Sequence, residues 1–434
     1  MTEQNTKKPK KKGVFIFSVA IVEIIIFLTG YALGTLNLTG FNSNKDNAQV
    51  VVDNVISEKG EIGDGTENDI VTPDNKTDEQ SISETADEKT VEKIMKDMTL
   101  SDMVYQMMFV TPEAITKVGN VVQAGEATKK AIEKYPVGGI VYFSTNFENR
   151  DQTVKMIENT KSFSKIPLFI SVDEEGGLVS RLGSNPNMGV EKRPAMRTLG
   201  DIGDTKKAYE IGKGLANDLK AIGFNVDFAP DADVLINPDN TEIGDRSFGT
   251  DANVVAQMVK NAVEGLEQNG VSATVKHFPG HGSTYNNSHT GYSESGRTLE
   301  QLRSEEFLPF KAAIESGVDF VMVSHMTLVN ATTEKVPASI SKEVITDWLK
   351  NELGYEGIVI TDSFSMGAIT DSYSVGEATV KAIDAGVDMI LMTPDIDAAH
   401  DAVMKAVESG ELSEDRIRES VKKILLLKHR KNMF

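Results

Sequence analysis

The chain has 434 residues, with 65 Asp and Glu against 45 Lys and Arg, a formal net charge of -20, and no cysteine. A surface this acidic repels phosphate backbones and excludes a general nucleic-acid binder. The missing cysteine excludes disulfides, thiolate metal sites and a lipid-modified cysteine. The length suits one barrel-sized domain with additional segments.

The N-terminus opens with a basic tail over residues 1–13, in which Lys7, Lys8, Lys10, Lys11 and Lys12 precede an apolar run. That run, residues 14–36, is long enough to cross a hydrocarbon core of about 30 Å as one helix. Its single charge, Glu23, costs a few kcal/mol on insertion scales, which the surrounding Ile, Phe, Leu and Val side chains offset. Lysines before the span keep the N-terminus cytoplasmic, so a single-pass anchor in the cell membrane with everything after it outside is expected. A cleaved signal peptide is the rival, but Tyr31-Ala32-Leu33-Gly34 is a weak cleavage site. Residues 37–90 are polar and acidic, carrying Asp64, Glu67, Asp69, Asp74, Asp78, Glu79, Glu84, Asp87 and Glu88. So little apolar area cannot offset the entropy of ordering, and a disordered linker is expected.

From residue 91 onward short apolar runs alternate with helical stretches. The runs are Met107–Thr111, Gly139–Phe143, Leu168–Val172, Val226–Ala229, Ala273–Lys276, Phe320–Ser324, Ile358–Thr361 and Met389–Met392. Between them lie segments of helical period such as Ala208–Leu219, Val254–Gln268 and Ala378–Ala385. Eight strand-helix repeats predict a single (β/α)8 barrel of the TIM type over residues 91–434. An open doubly wound sheet has the same periodicity; the strand count and the polar strand ends favour the barrel.

Those ends carry the chemistry. The third run is followed by Asp173-Glu174-Glu175-Gly176-Gly177, the fourth by Pro230-Asp231-Ala232-Asp233 and then Arg246, the sixth by His325 and the seventh by Asp362. The fifth empties into Lys276-His277-Phe278-Pro279-Gly280-His281-Gly282 and then His289, so this one loop holds three of the six histidines. Polar groups at the same end of successive parallel strands converge on one cup. Asp362, presented at the tip of a strand too apolar to face water, is either a reacting carboxylate or the N-cap of the next helix.

The stretch Lys276-His277-Phe278-Pro279-Gly280-His281-Gly282 with Ser288-His289 resembles the signature of family 3 glycoside hydrolases, in their β-N-acetylglucosaminidase branch. The resemblance implies an exo-acting retaining β-N-acetylhexosaminidase acting on terminal N-acetylglucosamine, with cell-wall fragments as a reasonable substrate. It implies that Asp362, in Thr361-Asp362-Ser363-Phe364-Ser365-Met366, is the nucleophile and His289 the acid/base. It also implies that Asp173, Arg246, Lys276 and His277 hold the hydroxyls of the terminal sugar. Two positions depart from the pattern. The aspartate expected two residues before His289 is Asn287, and Leu178 stands where an arginine often follows the paired glycines.

Asn287 motivates a second expectation, a membrane-tethered amino-sugar binder with reduced or lost turnover. A metal-dependent hydrolase is a third, prompted by His277, His281, His325 and Asp362, but the first strand supplies no histidine pair. No metal or cofactor is expected. The expected partners are a carbohydrate and the membrane, and a monomer is the default expectation.

Overall fold

The computed structural model describes residues 85–285 and 291–434. The basic tail, the apolar span 14–36, nearly all of the expected linker, and both Asn287 and His289 lie outside the described residues. Among the described residues no helix is long and apolar enough to cross a membrane.

All eight apolar runs are strands: β1 (Met108–Val110), β2 (Gly139–Val141), β3 (Phe169–Val172), β4 (Val226–Asp227), β5 (Ser272–Phe278), β6 (Phe320–Val323), β7 (Ile358–Thr361) and β8 (Ile390–Leu391). They form one parallel sheet in the order β7-β6-β5-β4-β3-β2-β1-β8. A parallel bridge between Ile360 and Met389 brings the two ends of that order together, which closes the barrel. Every residue of the eight strands is buried. This is why each strand reads as a continuous apolar run rather than an alternating one.

Helices cover the outside, among them Thr205–Ile222, Ala252–Glu267 and Val375–Ala385, each amphipathic at the period read from the sequence. Their turns put β1 to β8 in register with all C-terminal ends at one mouth.

The first described helix, Ala86–Lys96, begins inside the stretch expected as linker. Composition hid a local signal: Thr85 and Glu88 form a capping box, each side chain meeting the other's main-chain N–H. The acids Asp87 and Glu88 sit in the first turn, where the helix dipole favours them. Val91 is fully buried, and Lys422 on the last helix, Glu414–Arg430, reaches Glu88 and Glu92 at 3.4 Å each. The ordered part therefore starts before residue 91.

One lysine is sealed in the core. Lys428 is completely buried, donates from Nζ to Gln106 Oε1 at 2.9 Å, and lies 4.9 Å from the centre of the Phe169 ring. Burial pulls its pKa down to about 7. An unfolded lysine titrates near 10.5, so the native state binds fewer protons between these values and stability rises with pH across that window. Lys428→Met removes the buried charge at similar volume, while Gln106 keeps its own bond to Pro136 O at 2.7 Å. The unfolding midpoint of this variant is expected to rise by several degrees at pH 7 and by much less at pH 10. Equal midpoints for variant and parent at pH 7 would show that the ammonium is accommodated without cost.

Candidate active site

At the end of β3 the chain turns through a short hairpin in which Glu174–Gly176 pairs antiparallel with Val179–Ser180. The turn needs glycine. Gly176 and Gly177 have φ of 98° and 58°, and a Cβ on Gly177 would lie 2.8 Å from Ala195 Cα. Residues two apart on an extended chain point the same way. Glu174 faces one side and clamps the hairpin, accepting from Ser180 Oγ at 2.5 Å, Leu182 N at 2.7 Å and Gly183 N at 3.1 Å. Asp173 and Glu175 face the other side, where Lys276 meets both.

Lys276, on β5, places Nζ 2.8 Å from Asp173 Oδ1 and 2.6 Å from Glu175 Oε1. Arg246 ends the short turn Gly244–Arg246 and grips Glu175 with both arms, Nε to Oε2 and Nη2 to Oε1, each at 2.9 Å. Its Nη1 donates to Glu242 O at 3.1 Å, and Nη2 also lies 3.3 Å from His277 Nε2. Burial alone would raise the Glu175 pKa, but the two cations outweigh it and hold the carboxylate at about 2. Against the same burial, Asp173 and Glu175 raise the pKa of Lys276.

His277 is held by Asp233, whose Oδ2 is 2.7 Å from Nδ1. Asp233 Oδ1 accepts the main-chain N–H of His281 at 2.5 Å and that of His277 at 3.3 Å. Burial disfavours a charged His277, but Asp233 overcomes it and raises the imidazole pKa; the same contact lowers that of Asp233 in spite of burial. His281 goes the other way, its pKa lowered by burial, with its ring against Thr284 Oγ1 at 3.0 Å and its carbonyl accepting from Asn240. It shapes the loop. His325, after β6, likewise meets Ser339 Oγ through Nδ1 at 2.8 Å and Ser363 O through Nε2 at 2.9 Å.

Asp362 follows β7, its main-chain N–H donating to Val323 O at 2.9 Å and its Oδ1 accepting from Ser363 N at 2.7 Å. The carboxylate is half-buried and close enough to favour a charge on His281. The arrangement is layered. Side chains of Asp173 and Arg246 keep 17% and 14% of their surface open at the mouth, while Glu175, Asp231 and Asp233 beneath them are closed off. Acceptors and donors at the mouth over a rigid floor of ion pairs can hold a neutral, hydroxyl-rich ligand in one orientation.

Asp173, Arg246, Lys276, His277 and Asp362 thus stand at the same mouth of the barrel. Three members of the floor were not singled out from the sequence: Glu175, Asp231 and Asp233. Their signal was present as alternation, since Asp173-x-Glu175 and Asp231-x-Asp233 each repeat an acid at the two-residue period of extended chain.

Asp231, Asp233 and His277 are a described group whose ligand atoms lie within 4.8 Å of one another, as in a metal site. Arg246 Nη2 already faces Asp231 Oδ2 at 3.5 Å and His277 Nε2 at 3.3 Å, and Asp233 is engaged by His277 and two main-chain N–H groups. A second cation among these atoms would have to compete with a guanidinium fixed by Glu175.

Residues 99–427 match the Glycosyl hydrolase family 3 N terminal domain. The chain belongs to glycosyl hydrolase family 3. Beta-hexosaminidase A of Pseudoalteromonas piscicida is 33% identical over 328 residues, which cover 68% of this chain and 54% of that protein. The chain therefore spans little more than half of that relative's length. Beta-hexosaminidase of Nitrosomonas eutropha is 32% identical over 297 residues, covering 66% of this chain and 83% of that protein. Among solved structures, a glycoside hydrolase family 3 beta-N-acetylglucosaminidase from Paenibacillus sp. str. FPU-7 superposes with a TM-score of 0.72 at 40% identity, covering 77% of this chain and 63% of that one.

Within this family 3 domain the two departures read from the sequence differ in visibility. Leu178 is 75% exposed in the hairpin turn, so the side chain there offers no charge to a ligand. Arg181 lies with its guanidinium carbon 5.8 Å from the centre of the Phe143 ring, just past the end of β2.

Proposed function

We propose that the chain is an exo-acting retaining β-N-acetylhexosaminidase that releases terminal non-reducing N-acetylglucosamine from β-linked amino sugars, with peptidoglycan fragments as the natural source. One observation carries the reading: Asp173, Arg246 and His277 line a mouth above the locked Lys276 and Glu175, at the same end of the barrel as the Asp362 carboxylate. The beta-hexosaminidase relatives and the Paenibacillus enzyme support the choice of sugar.

In this reading the hydroxyls of the terminal sugar exchange hydrogen bonds with Asp173, Arg246, Lys276 and His277. Asp362 attacks the anomeric carbon and the glycosidic bond breaks, its oxygen taking a proton from His289. Water, giving its proton back to His289, then displaces Asp362, and the two inversions return the β configuration. Imidazole, with an ordinary pKa of about 6.5, suits both transfers near neutrality. An arginine-and-lysine pair fixed by Glu175 orients the sugar without any rearrangement on binding.

Asn287 bears on the rate. Its amide oxygen can accept from the His289 ring but has no charge to stabilise an imidazolium, so Asn287→Asp is expected to raise kcat about 10- to 100-fold. The test is release of a chromogenic phenol from its β-N-acetylglucosaminide by the full chain and by the variant, side by side. Turnover by the parent chain upholds the glycosidase; sugar binding with turnover only in the variant would make the natural protein a tethered amino-sugar binder. The lysines before residues 14–36 support an anchored protein with its barrel outside the cell membrane. Retention in the membrane pellet through an alkaline carbonate wash checks that placement.

A further inference from the structure

Asp231 lies within the floor of the cup, and the two cationic groups nearest it are engaged elsewhere. Its Oδ1 accepts the main-chain N–H of Asp233 at 2.9 Å. Its Oδ2 is buried and no hydrogen-bond donor reaches it. Arg246 Nη2 stops at 3.5 Å, already committed to Glu175, and His277 Nδ1 is 3.9 Å away, engaged with Asp233. Desolvation makes a buried carboxylate charge costly, and the neutral carboxylic acid avoids that charge cost.

The groups facing Asp231 come from every side. Asp233 shares its loop, Glu175 comes from the hairpin after β3, Arg246 from the turn Gly244–Arg246, and His277 from β5, where Asp231 is bridged to Lys276 through the main chain. With Asp231 neutral, the cations beside it are already engaged by three carboxylates, Lys276 by Asp173 and Glu175, Arg246 by Glu175, and the His277 ring by Asp233. Ionisation adds a fourth carboxylate with no cation of its own. Burial and the Asp233 charge raise the pKa of Asp231 to about 8.

We propose that Asp231 is a positioning residue that works as an uncharged carboxylic acid, leaving the Arg246 guanidinium to Glu175 and to a sugar hydroxyl. Once ionised, it draws the guanidinium and the His277 ring inward, and the mouth loses its donors. The proposal rests on the amino-sugar reading above and adds to it a residue that limits sugar binding on the alkaline side.

The experiment compares the full chain with Asp231→Asn, which keeps shape and stays neutral. Binding of N-acetylglucosamine is measured by calorimetry at pH 6.5, 8 and 9.5, and thermal unfolding without sugar is followed from pH 5 to 9.5. The parent is expected to lose affinity by about tenfold per pH unit above pH 8, whereas the variant's affinity stays flat to within about threefold. Because an acid with a raised native pKa holds its extra proton only when folded, the parent should also lose stability relative to the variant as pH rises towards 8, and no further above it. A substitution that merely loosens the floor would shift the midpoint equally at every pH. Parallel loss of affinity in both proteins, or parallel unfolding profiles, would overturn the proposal while leaving the glycosidase standing. Sugar bound by neither protein at any pH would overturn the amino-sugar reading and the positioning role with it, and the unfolding profiles would still show whether Asp231 is neutral.

Discussion

Asp362→Asn is expected to lower kcat on a chromogenic β-N-acetylglucosaminide by at least about 10⁴-fold, equivalent to roughly 5.5 kcal/mol of barrel-bound transition-state stabilisation, with the fold unchanged. An amide is no nucleophile towards the anomeric carbon, so the covalent step is lost outright. The local frame survives the exchange. Ser363 N can still donate to the side-chain oxygen, now at 2.7 Å, and the main-chain bond from residue 362 to Val323 O does not involve the side chain. Unfolding midpoints should agree within a degree or two, and sugar should still bind, because Asp173, Arg246, Lys276 and His277 are untouched. A variant that keeps the parent's rate would remove Asp362 from the chemistry. The helix-cap role that the sequence also offered is not realised, since the next helix, Gly367–Thr370, has Met366 at its N-cap; a large fall in midpoint would instead mean that the exchange disturbs the loop after β7.

The second large effect belongs to Glu175, which is itself closed off beneath the mouth. Its two oxygens receive Lys276 Nζ at 2.6 Å, Arg246 Nη2 at 2.9 Å and Arg246 Nε at 2.9 Å. Glu175→Gln leaves two buried cations short of one counter-charge and points an amide N–H at a guanidinium N–H. Removing one partner of such a group costs about 3–5 kcal/mol, which for a domain of this size is a midpoint fall of about 4–7 °C. Released from Glu175, Arg246 and Lys276 also lose their aim, so a rise in KM of about 100-fold should accompany the loss of stability.

The pH dependence gives this prediction its sign. Glu175 is held at about pKa 2 against an ordinary 4.5, so its contribution is whole above the unfolded value and disappears as pH falls through the folded one. The difference in midpoint between parent and variant should therefore persist from pH 7 down to about 4.5 and narrow below it. Thermal unfolding at pH 7, 4.5 and 3 reads this directly. A constant difference at all three would mean that packing, and not charge, is what the substitution disturbs.

The two predictions separate what was legible along the chain from what was not. Asp362 could be reached from the sequence because it ends an apolar strand and because Lys276 to Gly282 carries a specific motif. All eight strands were likewise legible, since strands buried on both faces must be written as unbroken apolar runs. Glu175 could not be ranked above Glu174 in that way. Neighbouring acids on an extended segment face opposite sides, and only the hairpin at Gly176 and Gly177 decides which side is the cup.

The first helix shows the reverse case, in which a local signal was outweighed by composition. Thr85 and Glu88 spell a capping box, but their acidic surroundings read as a disordered tether until Val91 is seen to bury itself and Lys422 to reach across.

By itself, the sequence determined the strand count, the end of the barrel at which polar groups gather, and the residue types available for attack and for holding hydroxyls. Those are properties of short segments, set by burial and period. Only the tertiary structure decided which carboxylate serves which cation. Lys276 meets Asp173 across 103 residues and Arg246 meets Glu175 across 71, and it is closure of the barrel that brings such distant groups within 3 Å. The upward shift of the Asp231 pKa was likewise outside the reach of sequence, because a pKa depends on burial and on neighbours that the fold alone supplies.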